Sequence, residues 1–199
     1  MTKKVILTDA TPVPDKPANK PSKSSQCHKR DSLPDLNRCG YDWIDTFTLE
    51  IIRWLCIGYS RGTSSGFEQA FARADAVLGH SDGPCLVAGV SGLMTAIRRG
   101  RNSPFEFSDP VCPTCRMTVL PHEEAIMSVV RAGRRNDETA LLGRGLLLLE
   151  GNDPALLTAA ARRLGGEMER IDSDLKALNR RWKRPAPRPL PGRKPKHAT

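Results

Sequence analysis

The stretch YDWIDTFTLEIIRWLCIGYS, residues 41–60, decides the fold class of this chain. Its apolar residues recur at intervals of three and four positions: Ile44, Phe47, Ile51, Trp54 and Leu55. That spacing places them on one face of an α-helix, and the preceding Asp42 is a suitable N-terminal cap. The sequence therefore predicts an amphipathic helix that buries one face against other helices.

Helical patterns continue along the rest of the central sequence. They occupy residues 64–79, 84–101, 121–135, 136–151, 152–165 and 166–182. Pro84 and Pro121 suit the first turn of a helix, where the missing amide has no partner. Gly79 and Gly165 are predicted to end two of these helices. No pair of strand patterns is visible, so we predict an all-α fold, a single domain of about seven helices over residues 41–182.

The net charge of +9 is concentrated at the two ends of the chain. Residues 1–40 carry +4 and residues 180–199 carry +8, whereas residues 41–179 carry −3. Residues 1–40 are rich in Pro, Lys and Ser, and residues 183–199 hold five prolines and no acidic residue. Such segments bury too little apolar surface to fold. Both are therefore predicted to be disordered basic tails.

Basic tails attract the phosphates of nucleic acids and the carboxylates of acidic proteins. The predicted nucleic-acid contact lies at the end of the last helix, at Arg180, Arg181, Trp182, Lys183 and Arg184. In this cluster the indole would stack on a base while the cations meet phosphates. The alternative is that Trp182 packs the last helix onto the core.

Nothing in the sequence indicates export or a membrane span. The first residues lack the apolar run of roughly 7–15 residues that a secretory signal needs. No window reaches the ~18 apolar residues of a spanning helix. We therefore expect a cytoplasmic protein, in which the six cysteines are thiols or metal ligands more often than disulfides.

The sequence DPVCPTCRMTVLPHEE, residues 109–124, interrupts the helical pattern. The irregular stretch begins at about residue 102, and its three prolines exclude a helix through most of it. A long irregular segment inside a compact domain needs something that organises it. Zinc is one such organiser, because a Cys-x-x-Cys turn presents two thiolates to one ion. The predicted zinc ligands are Cys85, Cys112, Cys115 and His122, with His80 as the rival of Cys85.

Several other interpretations of the cysteines stay open. Cys112 and Cys115 are also compatible with a dithiol redox pair or with plain thiols. An iron–sulfur cluster would use the same two cysteines together with Cys56 and Cys85. An enzyme would need a nearby carboxylate as general base, for which Glu123 is the candidate. Alternatively, Glu123 interacts with the helix dipole and caps the helix.

The cysteines and the histidine near the N-terminus give a weaker indication of a metal site. Cys27, His28 and Cys39 lie in the basic N-terminal segment. Their spacing permits a second metal site, although thiols in a tail are the simpler interpretation.

The stretch from Ala70 to Ile126 carries PCLVAGVSGLMTAI, then the cysteine pair, RMT and a glutamate-containing helix. It resembles small helical bacterial proteins of unknown function that carry a cysteine cluster. The resemblance covers a quarter to a third of the chain. It implies that the cysteines belong to a shared helical unit, and it implies no activity.

These observations favour a non-enzymatic, metal-stapled helical binding or regulatory module. Its basic tails would contact nucleic acid or an acidic partner. The first alternative is a metal- or thiol-dependent enzyme, and the second is a metal-free helical interaction protein.

Overall fold

The structure, a computed structural model, describes residues 33–182, with side chains described as far as Leu178. These residues form five α-helices: α1 (Trp43–Arg61), α2 (Ser65–Gly100), α3 (Pro121–Arg134), α4 (Glu138–Leu148) and α5 (Ala155–Trp182). Two 3-10 helices, Leu36–Arg38 and Cys115–Met117, complete the regular structure. Within the described range there is no β-strand, and the predicted all-α class is confirmed.

Five α-helices stand where seven were predicted because α2 and α5 each span two of the predicted helices. The first pair forms α2, which is broken at Gly79, where the backbone is non-helical with φ +80°. A left-handed φ is accessible to glycine at little cost. The chain turns there so sharply that Gly83 packs against the backbone of Ala74. The predicted break at Gly79 therefore exists, and α2 consists of two helical segments that meet there at a kink.

The second pair of predicted helices forms α5, which passes through Gly165 and Gly166 without a break. Gly165 is buried and lies against the backbone of α3 at Gly133 and Arg134. It is a contact residue rather than a helix terminator. A sequence pattern alone does not distinguish these two roles of glycine.

The N-terminus of α1 follows the predicted capping. The Asp42 side chain accepts a hydrogen bond from the Asp45 amide at 2.9 Å. Asp45, which is only 2% exposed, also pairs with Arg134 of α3 at 2.6 Å. This ion pair ties the first turn of α1 to the end of α3.

A single hydrophobic core joins the five helices. α1 packs on α2, α5 packs along both α2 and α3, and α4 packs on α3. Large, fully buried side chains come from all five helices, and those of α1 to α4 include Ile44, Leu49, Ile51, Ile52, Leu55, Leu86, Leu93, Ile97, Ile126, Met127, Leu141 and Leu148. α5 contributes Leu157, Leu164 and Met168 to the same cluster. The irregular segment between α2 and α3 lies over the end of this core that α1 and α3 share.

Among residues 33–182, none of the helices combines the length and the apolar character that crossing a membrane requires.

Candidate functional site

Residues 101–120 connect α2 to α3, and they are organised around a buried ion pair. Arg53 on α1 donates from Nε to Glu123 Oε1 at 2.7 Å and from Nη2 to Oε2 at 2.9 Å. The two side chains are only 3% and 0% exposed. Both carboxylate oxygens are engaged by one guanidinium, and this bidentate geometry is the strong form of such a pair.

The remaining donors of Arg53 hold the connecting segment itself. Nη1 donates to the carbonyl of Arg116 at 2.7 Å, and Nη2 donates to the carbonyl of Thr118 at 2.6 Å. The segment has few backbone hydrogen bonds of its own because it is not helical. One arginine of α1 therefore donates to two carbonyls of irregular backbone, and the Thr118 carbonyl accepts a second hydrogen bond from Ser108 Oγ at 3.2 Å.

Glu123 completes the arrangement from the first turn of α3. Its Oε1 accepts from the Ser108 amide and its Oε2 accepts from the Leu120 amide, each at 2.9 Å. With the two bonds from Arg53, the carboxylate accepts four hydrogen bonds, which is about its full capacity. The capping role predicted for Glu123 is observed, because Leu120 is the N-cap of α3. The Arg53–Glu123 ion pair therefore holds the irregular segment, a role for which the sequence had suggested a zinc ion.

The CPTC turn, residues 112–115, lies at the outer side of this segment. The Cys115 amide donates to Cys112 Sγ at 3.4 Å, and the Arg116 amide donates to the Cys112 carbonyl at 3.0 Å. Cys115 is 6% exposed, whereas Cys112 is half-buried. The two cysteines therefore share one tight turn, with Cys112 the more accessible of the pair.

Residues 33–40 run beside the same segment. The Val119 amide donates to the Pro34 carbonyl at 3.0 Å, and Asp35 and Thr118 form an isolated antiparallel bridge. Cys39 donates to the Asp35 carbonyl through Sγ at 3.4 Å. Burial, and then the nearby carboxylates of Glu124 and Asp35, raise the pKa of the Cys39 thiol. This environment favours the thiol form of Cys39 over the thiolate.

His122 lies on the other side of the segment, and both ring nitrogens have neighbours. Nδ1 accepts a hydrogen bond from the Glu106 amide at 3.0 Å, and Nε2 lies 3.2 Å from Nη2 of Arg101. The ring also stacks on Phe105, with 5.4 Å between centroids. These contacts fix residues 101–106 against α3, and none of them involves a cysteine.

Cys85 and His80 occupy other surfaces of α2. Cys85 is exposed in a groove that Gly89 and Gly92 line together with Arg163 and Glu167 of α5. His80 is 95% exposed and pairs with Asp75 at 2.5 Å. None of these contacts places Cys85 or His80 beside the CPTC turn.

The structure thus brings together only two of the four predicted zinc ligands, Cys112 and Cys115. Within the described part of the chain, no three His, Cys, Asp or Glu side chains are grouped so that they hold a metal ion. His122 contacts Arg101, Phe105 and Glu106 instead, and Cys85 is exposed in the groove between α2 and α5. Zinc and the iron–sulfur cluster remain predictions.

Cys56, the further cysteine of the iron–sulfur alternative, is buried in α1 with 5% exposure. Burial, with a smaller contribution from the charge of Glu123, raises the pKa of its thiol to about 12. A cluster ligand must be a thiolate, which this environment strongly disfavours. Cys56 is best described as a small core residue.

The predicted nucleic-acid residues lie at or beyond the limit of the described side chains. The backbone of α5 continues through Arg180, Arg181 and Trp182, whose side chains are not described. Lys183 and Arg184 lie outside the described residues, as do Cys27 and His28.

Comparison of the chain with protein-family models, with curated proteins and with solved structures finds no match. The geometry described above is therefore the basis for a functional proposal.

Proposed function

We propose that this protein is a helical binding module, without catalytic activity, in which Cys112 and Cys115 of the CPTC turn bind a zinc ion. The observation that carries the metal assignment is the 3.4 Å hydrogen bond from the Cys115 amide to Cys112 Sγ. A donor aimed at sulfur favours the charged thiolate, which is the form that zinc binds. The two-residue spacing then allows both sulfurs to reach one ion.

A zinc site accounts for this turn better than a dithiol redox pair does. A redox Cys-x-x-Cys motif normally begins a long helix, whose dipole activates the first cysteine. Here Cys115 begins a 3-10 helix of only three residues, Cys115–Met117, so Cys112 does not lie at the start of a long helix. Cys112 and Cys115 supply two of the four ligands that zinc prefers, so the remaining ligands come from other residues.

The hydrogen bonding of Glu123 supports a binding module over an enzyme. The carboxylate that an enzymatic mechanism would use as its base already accepts four hydrogen bonds and is fully buried. A base must have a lone pair directed at the proton that it removes. Glu123 is therefore committed to holding residues 101–120.

The test is the zinc content of the full chain, purified without a metal-affinity step, for the wild type and matched Cys→Ser variants. We expect about one zinc per wild-type chain, loss of zinc in Cys112→Ser and Cys115→Ser, and retention in Cys85→Ser. Helical content should persist in all three variants, because the Arg53–Glu123 pair still holds the segment. Substituting Cys27, His28 and Cys39 one at a time would identify the remaining ligands.

Two results would overturn the proposal. One is a wild-type protein without zinc whose Cys112 and Cys115 are rapidly oxidised to a disulfide, which would favour redox chemistry. The other is unchanged zinc content in Cys112→Ser, which would place the metal elsewhere.

The partner of the proposed module is nucleic acid or an acidic protein, contacted through the basic end at Arg180, Arg181, Trp182, Lys183 and Arg184. The charge of +8 over residues 180–199 supports this proposal, since such contacts depend on the number of neutralised phosphates.

A further inference from the structure

We propose that two copies of this chain form a dimer through the groove between α2 and α5, with the two α5 helices antiparallel. The groove has a volume of about 390 Å³. Its lining includes three residues of α2 and three of α5: Cys85, Gly89, Gly92, Ala160, Arg163 and Glu167. This interface goes beyond the zinc proposal, since it uses none of the residues of the CPTC turn.

The two charged residues of the lining are arranged so that they complement a second copy of themselves. Arg163 and Glu167 are four residues apart, so they lie one turn apart on the same side of α5. A two-fold axis between them brings Arg163 of each copy opposite Glu167 of the other. Arg163 is exposed, and it has no ion-pair partner among the side chains that the structure describes. The antiparallel arrangement therefore forms two equivalent ion pairs.

One end of the groove carries an excess of negative charge. Arg170 of α5 pairs there with three carboxylates, those of Asp82, Glu167 and Asp174, at 2.8, 2.6 and 3.2 Å. A single guanidinium offsets only one of these three negative charges. This end of the groove therefore repels nucleic acid and acidic proteins, and it attracts a positively charged surface.

The other end of the groove carries positive charge. Arg99 is exposed and lies seven residues beyond Gly92, which places it two turns further along the same side of α2. Together with Arg163 it supplies two positive charges, of which the nearby carboxylate of Asp153 offsets at most one. An antiparallel pairing brings the positive end of each copy to the negative end of the other. This complementarity selects a second copy as the occupant of the groove.

The floor of the groove leaves room for a helix of the second copy to approach closely. A Cβ on Gly92 would meet nothing within 4 Å, so no side chain of the same copy fills that space. Leu156, one turn before Ala160 on α5, is 48% exposed and would gain an apolar contact in the dimer. Because this apolar contribution is small, we expect a dimer in exchange with the monomer, of the class that buries less than about 1,200 Å².

Sedimentation velocity of the full chain at low salt, from micromolar to near-millimolar concentration, tests for the dimer. The sedimentation coefficient should rise with concentration as the monomer associates. Gly92→Arg should raise the dissociation constant by roughly tenfold or more, because the long side chain fills the groove without displacing any atom of the fold. Gly143→Arg is the matched control, since Gly143 is an exposed helical glycine of α4 with nothing within 4 Å of its Cβ. It should associate as the wild type does.

Exchanging the charges of α5 tests the antiparallel arrangement. Arg163→Glu and Glu167→Arg each place like charges opposite one another in their own dimers, so each should weaken self-association by roughly tenfold or more. An equimolar mixture of the two variants should form a heterodimer, because both ion pairs are then restored with their charges reversed. Circular dichroism would verify that each variant is folded.

Cys85 provides a second readout, because it lies in the groove. At low protein concentration the chain is monomeric, and the exposed thiol reacts freely with iodoacetamide. Its rate of modification should fall as the protein concentration rises and the dimer covers the groove.

Three outcomes would overturn the assignment. A chain that stays monomeric at near-millimolar concentration would exclude the dimer. A dimer that persists in Gly92→Arg and is lost in Gly143→Arg would move the interface to the exposed leucines of α4, which are Leu142, Leu146 and Leu147. Failure of the mixed Arg163→Glu and Glu167→Arg variants to associate would exclude the antiparallel pairing.

Discussion

Arg53 is the residue on which the connecting segment most depends, because it joins α1 to Glu123 and to two carbonyls of that segment. Removing one member of a buried pair leaves the other charge without compensation, which costs about 3–5 kcal/mol. We therefore expect Arg53→Met to lower the free energy of unfolding by that amount. Urea denaturation at neutral pH, followed by circular dichroism, measures the change.

The double variant Arg53→Met/Glu123→Leu tests the explanation. It removes both charges together, so it should be less destabilised than the sum of the two single variants. Arg73→Met is the control, since the Arg73–Glu50 pair is exposed and such pairs contribute only about 0–1 kcal/mol. Strictly additive single effects would show that the two side chains do not act as a pair.

Cys56 and Cys85 lie in environments that differ enough for an alkylating reagent to distinguish them. Burial raises the pKa of Cys56 to about 12, so at pH 8 its thiol is both neutral and inaccessible, whereas Cys85 is exposed. Alkylation of the native protein with iodoacetamide at pH 8 should modify Cys85 rapidly. Cys56 should react only after denaturant is added, and mass spectrometry of peptides would identify each site. Rapid modification of Cys56 in the native protein would contradict its place in the core.

At the scale of elements, the packing of α3 against α5 depends on small residues. Gly133 of α3 lies against the Ala161 carbonyl of α5, and a Cβ on Gly165 would approach the Arg134 amide at 2.5 Å. The two backbones are therefore too close for a side chain at either glycine. Their contact also explains why glycine occupies position 165 although α5 continues through it.

Gly133→Ala and Gly165→Ala should each destabilise the protein, because the added methyl group meets backbone that is unable to move aside. Overpacking of this kind costs typically 1–3 kcal/mol or more. The neighbouring Gly166 is the matched control, since a Cβ there meets nothing within 4 Å. Gly166→Ala should raise stability by roughly 0.5–1 kcal/mol through helix propensity. Thermal melts of the three variants compare these effects directly, and equal behaviour at Gly165 and Gly166 would refute the close contact.

The helix starts were predictable from the sequence because capping is local. Asp42 caps α1 and Pro121 begins α3, as their positions indicated. The organiser of residues 101–120 was not predictable, since Arg53 and Glu123 are 70 residues apart. The one available signal was a lone arginine within the apolar run IIRWLCI, residues 51–57. A charge in such a run requires a buried partner, but the sequence does not say which one.

For the whole molecule, the distribution of charge distinguishes binding by the folded helices from binding by the ends. Residues 41–179 carry −3, whereas residues 180–199 carry +8. A mildly acidic helical unit repels the phosphate backbone of nucleic acid, apart from local arginine clusters. Attraction to nucleic acid should therefore depend on the C-terminal residues.

Deleting residues 183–199 removes six lysines and arginines and should abolish retention of the protein on DNA or RNA. For the wild type, the logarithm of the binding constant should fall linearly with the logarithm of salt concentration, since each neutralised phosphate releases a counterion. Electrophoretic shift assays over a salt series measure both effects. A variant of full length with the six basic residues replaced by glutamine is the matched control, because it keeps the chain length and removes only the charge. If that variant binds as the wild type does, the attraction to the C-terminal segment is not electrostatic. If the deletion itself leaves binding unchanged, the contact lies on the helices or on the basic N-terminal segment, residues 1–40.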